Sequence, residues 1–541
     1  MPTLVCVPIM ADDVAAALRD AEAAHDLGAD IVEFRVDRIF HGEGDTEGQR
    51  DVLRLPAESP LPCIITCRPT YEGGEYDGDD ASRISLFEAL GASDTPPAYI
   101  DVEYEVFRRS ANLRQKVLLS VDHEHQPRDV QTRLILSLHD FDGRPAQLFN
   151  LLSQMRGEAA PRVLKVAFRA RSLRDNLELF DIVAESDRPA IALGMGEFGL
   201  MSRVLAPKFG AFLTFASLRD TSATAPGQPT VRELLDLYRF RTISPTTGLY
   251  GVVGWPVGHS IGPQVHNAGF EAAGHDGVYM PMPTPEGWES FKATMLTLLD
   301  APGLALRGCS VTIPHKEHLL RLAREDDTRA WEIDPVCAQV GAANTLVAHP
   351  GEPCRIFNSD VDGMLVPLRE QRGDDLTGTR CIILGAGGAA RAAVVGLAAA
   401  GAEVVVAARV PEKAAAMITD VNMGDTVKVQ PLDELRPKMW DVVINCTPVG
   451  MRGGPAEEAS PVNPGIFEGA AADCLVFDTV YNPIETPLLR DASTAGVHTI
   501  DGVRMFVGQA SAQFRAWTGQ DAPLQLFARI AHEALASPPQ G

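Results

Sequence analysis

A lysine inside an apolar run is an unusual expense for a soluble chain, and Lys165 sits in Val163-Leu-Lys-Val-Ala-Phe168. An amine sheltered there is disfavoured as an ammonium, and a neutral amine attacks ketones to form a Schiff base. His139 ends the preceding apolar run and is placed to shuttle protons. Glu33, Arg35, Arg68, Asp101 and Glu103 also fall at ends of such runs. The planar fork of arginine suits a substrate carboxylate. A second set of reactive residues lies far downstream. Lys316 and Asp360 form a candidate proton-donating pair for a carbonyl under reduction, the carboxylate orienting the ammonium. Gly385-Ala-Gly-Gly-Ala-Ala-Arg391 follows an apolar run and opens an Ala-rich stretch, the arrangement that puts backbone N–H groups at a phosphate. The next such run ends at Arg409, which suits a 2′-phosphate and so NADP over NAD.

These residues need elements to hold them. Over residues 1–240, apolar runs at Leu4–Ile9, Asp30–Val36, Pro62–Cys67, Ala98–Val102, Arg133–Leu138, Arg162–Ala167, Pro189–Gly194 and Ala211–Ala216 alternate with helical spacing, as in Asp12–Leu27, Ser172–Ala184 and Val231–Phe240. Eight strands alternating with helices predict a (β/α)8 TIM barrel, with a doubly wound open sheet as the alternative. Residues 241–248 have linker composition, residues 249–370 start a second unit, and residues 371–502 form a Rossmann cofactor domain. The stretch 503–536 is expected to return as a C-terminal helix completing the second unit.

The 541 residues carry 48 Lys+Arg against 72 Asp+Glu, a net charge of −24, which argues against nucleic-acid or acidic-membrane partners. With 45% hydrophobic residues, disorder along the whole chain is excluded. No apolar run is long enough to span a bilayer, and the start lacks the basic region of a signal or transit peptide. Nine cysteines without CxxC spacing fit free thiols, and the cytoplasm is the expected compartment. No His/Cys/carboxylate cluster has metal-ligand spacing, so no metal is expected. Small-molecule substrates are the expected partners, and a monomer is the default association state.

The first part resembles the type I 3-dehydroquinate dehydratases in Glu33-Phe-Arg-Val-Asp37, Cys67-Arg-Pro-Thr-Tyr-Glu-Gly-Gly74, Ser137-Leu-His-Asp-Phe141, Leu164-Lys-Val-Ala167, Gly194–Arg203 and Thr224-Ala-Pro-Gly-Gln228. The resemblance implies that Lys165 forms the imine, His139 moves the protons of a syn elimination and Glu72 partners that histidine. It also implies that Glu33, Arg35, Arg68, Arg203, Thr224 and Gln228 contact substrate. Thr224 stands where that family usually has Ser.

The rest resembles shikimate dehydrogenases in Tyr250–Ser260, Val311-Thr-Ile-Pro-His-Lys316, Gly341-Ala-Ala-Asn-Thr345, Asn445–Met451, Tyr481-Asn-Pro483 and Gly502–Ala510. That resemblance implies catalysis by Lys316 and Asp360. Substrate would be held by Ser260, Gly262, Thr312, Asn344, Tyr481 and Gln509. NADP would be held by Gly385, Ala386, Gly387, Gly388, Ala389, Arg409, Thr447 and Met505. Three departures stand out. Gly262 replaces a hydroxyl-bearing Ser, vacating volume that an extra ring hydroxyl such as that of quinate would fill. Ser310 replaces the usual Asn, as in plant bifunctional enzymes, and Ala408 replaces the Asn before Arg409. The two resemblances together imply consecutive dehydration and NADPH-dependent reduction. A quinate-directed second half and a catalytically silent sensor are the alternatives.

Overall fold

The computed structural model describes residues 2–126, 128–219, 227–424, 426–435, 440–470 and 473–536. The chain divides into two compact units, Met1–Thr247 and Gly248–Gly541.

The first unit has eight parallel strands: β1 (Leu4–Met10), β2 (Ile31–Arg35), β3 (Cys63–Thr66), β4 (Tyr99–Glu103), β5 (Arg133–Asp140), β6 (Val163–Arg169), β7 (Ala190–Met195) and β8 (Leu213–Phe215). They pair in the order β7-β6-β5-β4-β3-β2-β1-β8. Phe212 N–H donates to Ala190 O at 2.8 Å across the remaining seam, so the sheet curls into a nearly closed barrel and the open-sheet alternative is set aside. Asp13, Asp45, Asp79 and Ser110 cap helices between the strands; Asp13, for instance, accepts from Ala16 N at the start of Val14–Asp26. The predicted helix at Val231–Phe240 is instead a wide π turn, Glu233–Leu237, followed by a 3-10 turn, Phe240–Thr242.

The two-residue period of a strand sorts the interior into layers. Ile31, Ile64, Tyr99, Ile135, Val163, Ile191 and Leu213 form the apolar floor. Two residues further along each strand, the same face presents Glu33, Asp101, Ser137 and Lys165; two more bring Arg35, Arg68, Glu103 and His139. Both polar layers lie at the C-terminal ends of the strands. The predicted linker is ordered: Lys208 Nζ donates to the carbonyls of Pro245 and Thr247, each at 2.8 Å. Gly248, assigned to that linker from the sequence, is already the first residue of a strand.

The second unit starts with a six-stranded mixed sheet of β9 (Gly248–Gly254), β10 (Gly277–Pro283), β11 (Leu306–Val311), β12 (Trp331–Ile333), β13 (Thr345–Val347) and β14 (Cys354–Phe357), in the order β10-β9-β11-β13-β14-β12. The helix Asp360–Arg372 leads to a parallel Rossmann sheet of β15 (Arg380–Leu384), β16 (Glu403–Ala408), β17 (Lys428–Pro431), β18 (Val442–Asn445), β19 (Leu475–Asp478) and β20 (His498–Ile500), ordered β17-β16-β15-β18-β19-β20. The return segment is two helices rather than one, Gly502–Thr518 and Leu524–Ala536. Gly519, at φ +71°, ends the first in a conformation that side-chain-bearing residues resist. Val503, Phe514, Trp517 and Phe527 of these helices share one core with Tyr250, Val265, Phe270 and Tyr279, so the C-terminus completes the first sheet's half of this unit.

Candidate active sites

In the first unit, an open cavity of about 580 Å³ is lined by Glu33, Arg35, Arg68, Glu72, Gly73, His139, Phe141, Lys165, Ala167, Leu193, Met195, Arg203, Phe215 and Gln228. Every site residue that the family resemblance implied here is therefore on its wall except Thr224, which lies outside the described residues; the strand-end acids Asp101 and Glu103 do not line it. Lys165 is buried, and its surroundings are not the apolar slot expected. Its Nζ donates to Asp101 Oδ2 at 2.8 Å, lies 3.5 Å from Glu33 Oε1, and sits 4.7 Å from the centre of the Phe215 ring. Asp101, seen in the sequence only as a strand-end acid, is thus the lysine's nearest partner. Burial alone would raise its carboxyl, but Arg68 and Lys165 together hold it well below the ordinary carboxylate range.

Arg68 is committed rather than free. It donates to Asp101 Oδ1 at 2.8 Å, Glu103 Oε1 at 2.6 Å and Ser137 Oγ at 3.1 Å. Arg35 is likewise bidentate with Asp37, at 3.2 and 2.5 Å. Arg203 differs: among the described residues it donates only to Phe215 O, at 3.4 Å, and no carboxylate pairs with it. Burial depresses this guanidinium to about 10.

His139 Nδ1 lies 3.2 Å from Glu72 Oε2. Burial, with Arg68 and Lys165 nearby, pushes the imidazole well below 6.5, and burial raises Glu72 to about 8. The two groups form one coupled buried pair. When Glu72 is ionised and accepts from Nδ1–H of the neutral imidazole, the Nε2 lone pair is left to act as a base.

In the second unit the catalytic candidates converge. Lys316 Nζ donates to Asp360 Oδ2 at 2.6 Å, while Asn344 Nδ2 and Gln509 Nε2 donate to Oδ1 at 3.0 and 2.5 Å. Asp360 is buried and Lys316 about a quarter exposed, with side-chain exposures of 3% and 28%. An open cavity of about 790 Å³ places this pair beside Ala386, Gly387, Gly388 and Arg391 of the glycine-rich turn. Gly385, at φ +106°, makes the turn, and a side chain there would strike Thr447. Gly387 and Gly388 have open space where side chains would stand, at the N-terminus of the helix Gly388–Ala399. That cradle fits a dinucleotide's phosphates. Arg409 lines another open cavity with Leu432, Asp433, Asn463 and Ile466. Met505, expected at the cofactor, is packed into the apolar core of the Rossmann half. Tyr481 stands more than a third exposed, its ring 6.0 Å from Phe506.

Ser260 Oγ accepts from Gly262 N at 3.2 Å, and Thr312 N donates to Val253 O at 2.9 Å. The volume expected to be vacated at Gly262 is occupied. A Cβ there would lie 3.1 Å from Tyr279 Cε1 and 3.2 Å from both Tyr279 Oη and Ser260 Oγ. Tyr279 Oη donates to Ser310 Oγ at 2.9 Å, Ser310 donates to Gln513 Oε1 at 2.9 Å, and Gln513 Nε2 donates to Thr345 Oγ1 at 3.1 Å. Thr345 then donates to Asn344 Oδ1 at 2.9 Å, so a one-way relay ends on Asp360. Gln513 was not singled out from the sequence, although its place four residues after Gln509 puts both amides on one helix face. Gly262→Ser is expected to destabilise the second unit by about 1–3 kcal/mol through overpacking; an unchanged unfolding temperature would show that Tyr279 yields without cost.

A nearly closed barrel with a lysine, a histidine and an arginine at its mouth, joined to a Rossmann unit with a Lys–Asp pair beside a glycine cradle, defines a lyase fused to a dinucleotide-dependent dehydrogenase. The comparisons with known proteins give that class a family. Residues 5–245 match the type I 3-dehydroquinase family, 252–346 the shikimate dehydrogenase substrate binding domain, 367–450 the shikimate/quinate 5-dehydrogenase family and 502–530 the shikimate 5′-dehydrogenase C-terminal domain. The bifunctional 3-dehydroquinate dehydratase/shikimate dehydrogenase of Arabidopsis thaliana, named as chloroplastic, is 34% identical over 98% of this chain and 84% of its own length. The shikimate dehydrogenase (NADP(+)) of Methanocella arvoryzae is 40% identical over 53% of this chain and 99% of its own. A Thermus thermophilus shikimate 5-dehydrogenase solved with NADP(H) and shikimate is 29% identical, covering 53% of this chain and all of its own at a TM-score of 0.45. The chain belongs to the family of bifunctional 3-dehydroquinate dehydratase/shikimate dehydrogenases.

Proposed function

We infer that the chain dehydrates 3-dehydroquinate to 3-dehydroshikimate in its first unit and reduces that product to shikimate with NADPH in its second. The observation that carries this reading is the pairing of both chemistries in one chain: Lys165 with His139–Glu72, and Lys316 with Asp360 beside the glycine cradle. Family membership over 98% of the chain supports it.

In the first unit, Arg203 receives the substrate carboxylate and Lys165 Nζ attacks the ring ketone, losing water to give a protonated imine. His139 Nε2 then removes the C2 proton. The electrons move toward the imine nitrogen, and the same histidine returns a proton to the leaving C1 hydroxyl. Hydrolysis of the imine frees 3-dehydroshikimate. Because its environment holds His139 below its ordinary 6.5, the base form persists as pH falls through 6.5 and is lost only at the lower folded value. The acid limb of dehydratase kcat/KM assigned to this group is therefore expected below pH 6.5, and a limb at or above that value would contradict the assignment.

In the second unit, Asn344, Gln509 and the Lys316–Asp360 pair hold the ring hydroxyls, with Ser260 and Thr312 at the far end of the same substrate. NADP, when bound, supplies the hydride; Gly387, Gly388 and the helix end behind them hold its phosphates, and Arg409 takes the 2′-phosphate. Lys316 gives its proton to the alkoxide oxygen as it forms. The name of the M. arvoryzae relative supports the choice of NADP. Shikimate rather than quinate is the favoured product, because Tyr279 fills the space that a missing serine was expected to open.

All nine cysteines are buried without disulfides, and no described helix is long and apolar enough to cross a membrane. A reducing compartment such as the cytoplasm and a monomer acting on small molecules complete the reading. Both activities are tested together by mixing purified chain with 3-dehydroquinate and NADPH: enone absorbance should appear and NADPH should then be consumed. Failure of both would overturn the assignment.

A further inference from the structure

We infer that Arg83 is a positioning residue for the dehydration, acting on Lys165 through Glu103, Arg68 and Asp101. Neither Arg83 nor Glu103 lines the cavity. From the reacting amine outward, Lys165 Nζ lies 2.8 Å from Asp101 Oδ2, and Asp101 Oδ1 lies 2.8 Å from Arg68 Nη2. Arg68 Nη1 lies 2.6 Å from Glu103 Oε1, and Glu103 Oε2 lies 2.7 Å from Arg83 Nη2. Arg83 also donates to Cys67 O at 3.0 Å, fixing the backbone just before Arg68, and to Asp80 Oδ1 at 2.9 Å. The Arg83 and Glu103 side chains are fully buried.

Charge balance links these groups. Three buried cations, Lys165, Arg68 and Arg83, face three buried carboxylates, Glu33, Asp101 and Glu103. The neighbouring charged groups stay out of the sum: Arg35 is paired with Asp37, Glu72 lies against His139 and reaches Arg68 only at 4.0 Å, Asp80 is shared between Arg83 and Arg109, and Arg203 is kept for substrate. The titratable and charged groups that face the amine are Cys6 on β1, Glu33 on β2, Arg68 after β3, Asp101 on β4, His139 on β5 and Arg203 behind β7. Strand β7 itself offers Leu193 and Met195, and β8 offers the Phe215 ring. Removing Arg83 leaves Glu103 competing with Asp101 for Arg68. A less neutralised Asp101 then holds Lys165 more firmly as an ammonium, which cannot attack the ketone.

The inference rests on Lys165 as the imine-forming residue, and the test separates the two. The full chain is prepared unaltered and as Arg83→Met, Arg83→Lys and the double variant Arg83→Met/Glu103→Gln, and dehydratase kcat is followed against pH. In Arg83→Met the rising limb is expected about one unit higher, a loss that approaches tenfold at pH values below the limb. At alkaline pH its rate should rejoin that of the unaltered chain, a recovery that structural damage does not give. Arg83→Lys keeps the charge and should leave the limb in place. The double variant, with two cations against two carboxylates, should bring it back. A superimposable Arg83→Met limb, a loss uniform across pH, or a double variant no better than Arg83→Met overturns the inference. If Arg83→Met does not fold, Glu103→Gln decides: with three cations against two carboxylates its limb should move down, and an unmoved or raised limb overturns the inference. Borohydride trapping of the unaltered chain with 3-dehydroquinate reports on the underlying reading: a label away from Lys165 sinks the proposed function, whereas a label on Lys165 with an unmoved limb sinks only the role of Arg83.

Discussion

Lys165→Met is expected to lower dehydration of 3-dehydroquinate by about 10⁴-fold, the upper end of what one acid–base group contributes. Two functions leave with the amine: the covalent capture of the ketone and the electron sink that the imine provides for the departing C2 proton. The surroundings survive better than the chemistry. Asp101 keeps Arg68 at 2.8 Å and the Ser137 hydroxyl at 2.6 Å, so the variant does not leave a bare buried carboxylate. The Met chain is of similar length and lies against the Phe215 ring, a favourable sulfur–aromatic contact. The same preparation carries its own control, since reduction of supplied 3-dehydroshikimate by NADPH depends on Lys316 and Asp360 in the other unit and should stay within twofold of the unaltered rate. Dehydration surviving within tenfold would place the imine elsewhere and remove the mechanism proposed for the first unit. Lys165→Arg separates charge from nucleophilicity: it restores a cation beside Asp101 but cannot form the imine, so it should be as inactive as the Met variant.

What could be read beforehand follows strand periodicity. Glu33, Asp101, His139 and Lys165 were legible because each lies in or at the end of an apolar run, and a two-residue period carries them onto the inner face. Their partners were not. Asp101 and Lys165 sit on β4 and β6, strands with β5 between them, so their contact at 2.8 Å depends on barrel curvature that strand counting does not supply. Lys165 is buried as the run around it suggests, but its surroundings are not apolar: neighbours along the chain are apolar, and neighbours across the barrel are charged. Gly262 shows the same gap. Its missing hydroxyl was visible at once, but the ring filling the space comes from Tyr279 on a different element. Other details were available and passed over. The run Gly519-Gln-Asp-Ala-Pro523 contains the stop signals that divide the C-terminal segment into two helices. The spacing of Gln509 and Gln513 marks a polar stripe on an otherwise apolar face.

In the second unit Asp360→Asn is expected to lower kcat for shikimate oxidation by NADP about 10²- to 10⁴-fold. The substitution keeps size and shape, so its effect isolates charge and donor–acceptor pattern. Asp360 now accepts from Lys316 on Oδ2 and from Asn344 and Gln509 on Oδ1. An asparagine has one acceptor oxygen. If that oxygen faces the two amides, its NH2 group faces the Lys316 ammonium, donor against donor; if it flips, the clash moves to Asn344 and Gln509. Either way a buried donor loses its partner, and Lys316 loses the carboxylate that orients it toward the reacting oxygen. The relay from Tyr279 through Ser310, Gln513, Thr345 and Asn344 makes flipping the costlier choice, since every link donates toward Asp360 and reversing one disturbs the rest. Lys316 is therefore the group left misdirected, and the loss should fall on kcat more than on the KM for NADP, whose cradle at Gly387 and Gly388 does not involve the carboxylate. Dehydratase activity measured on the same sample should not change. A kcat within threefold of the unaltered chain would show that Lys316 needs no carboxylate to do its work, and the assignment of the pair as the proton-transfer device would have to be given up.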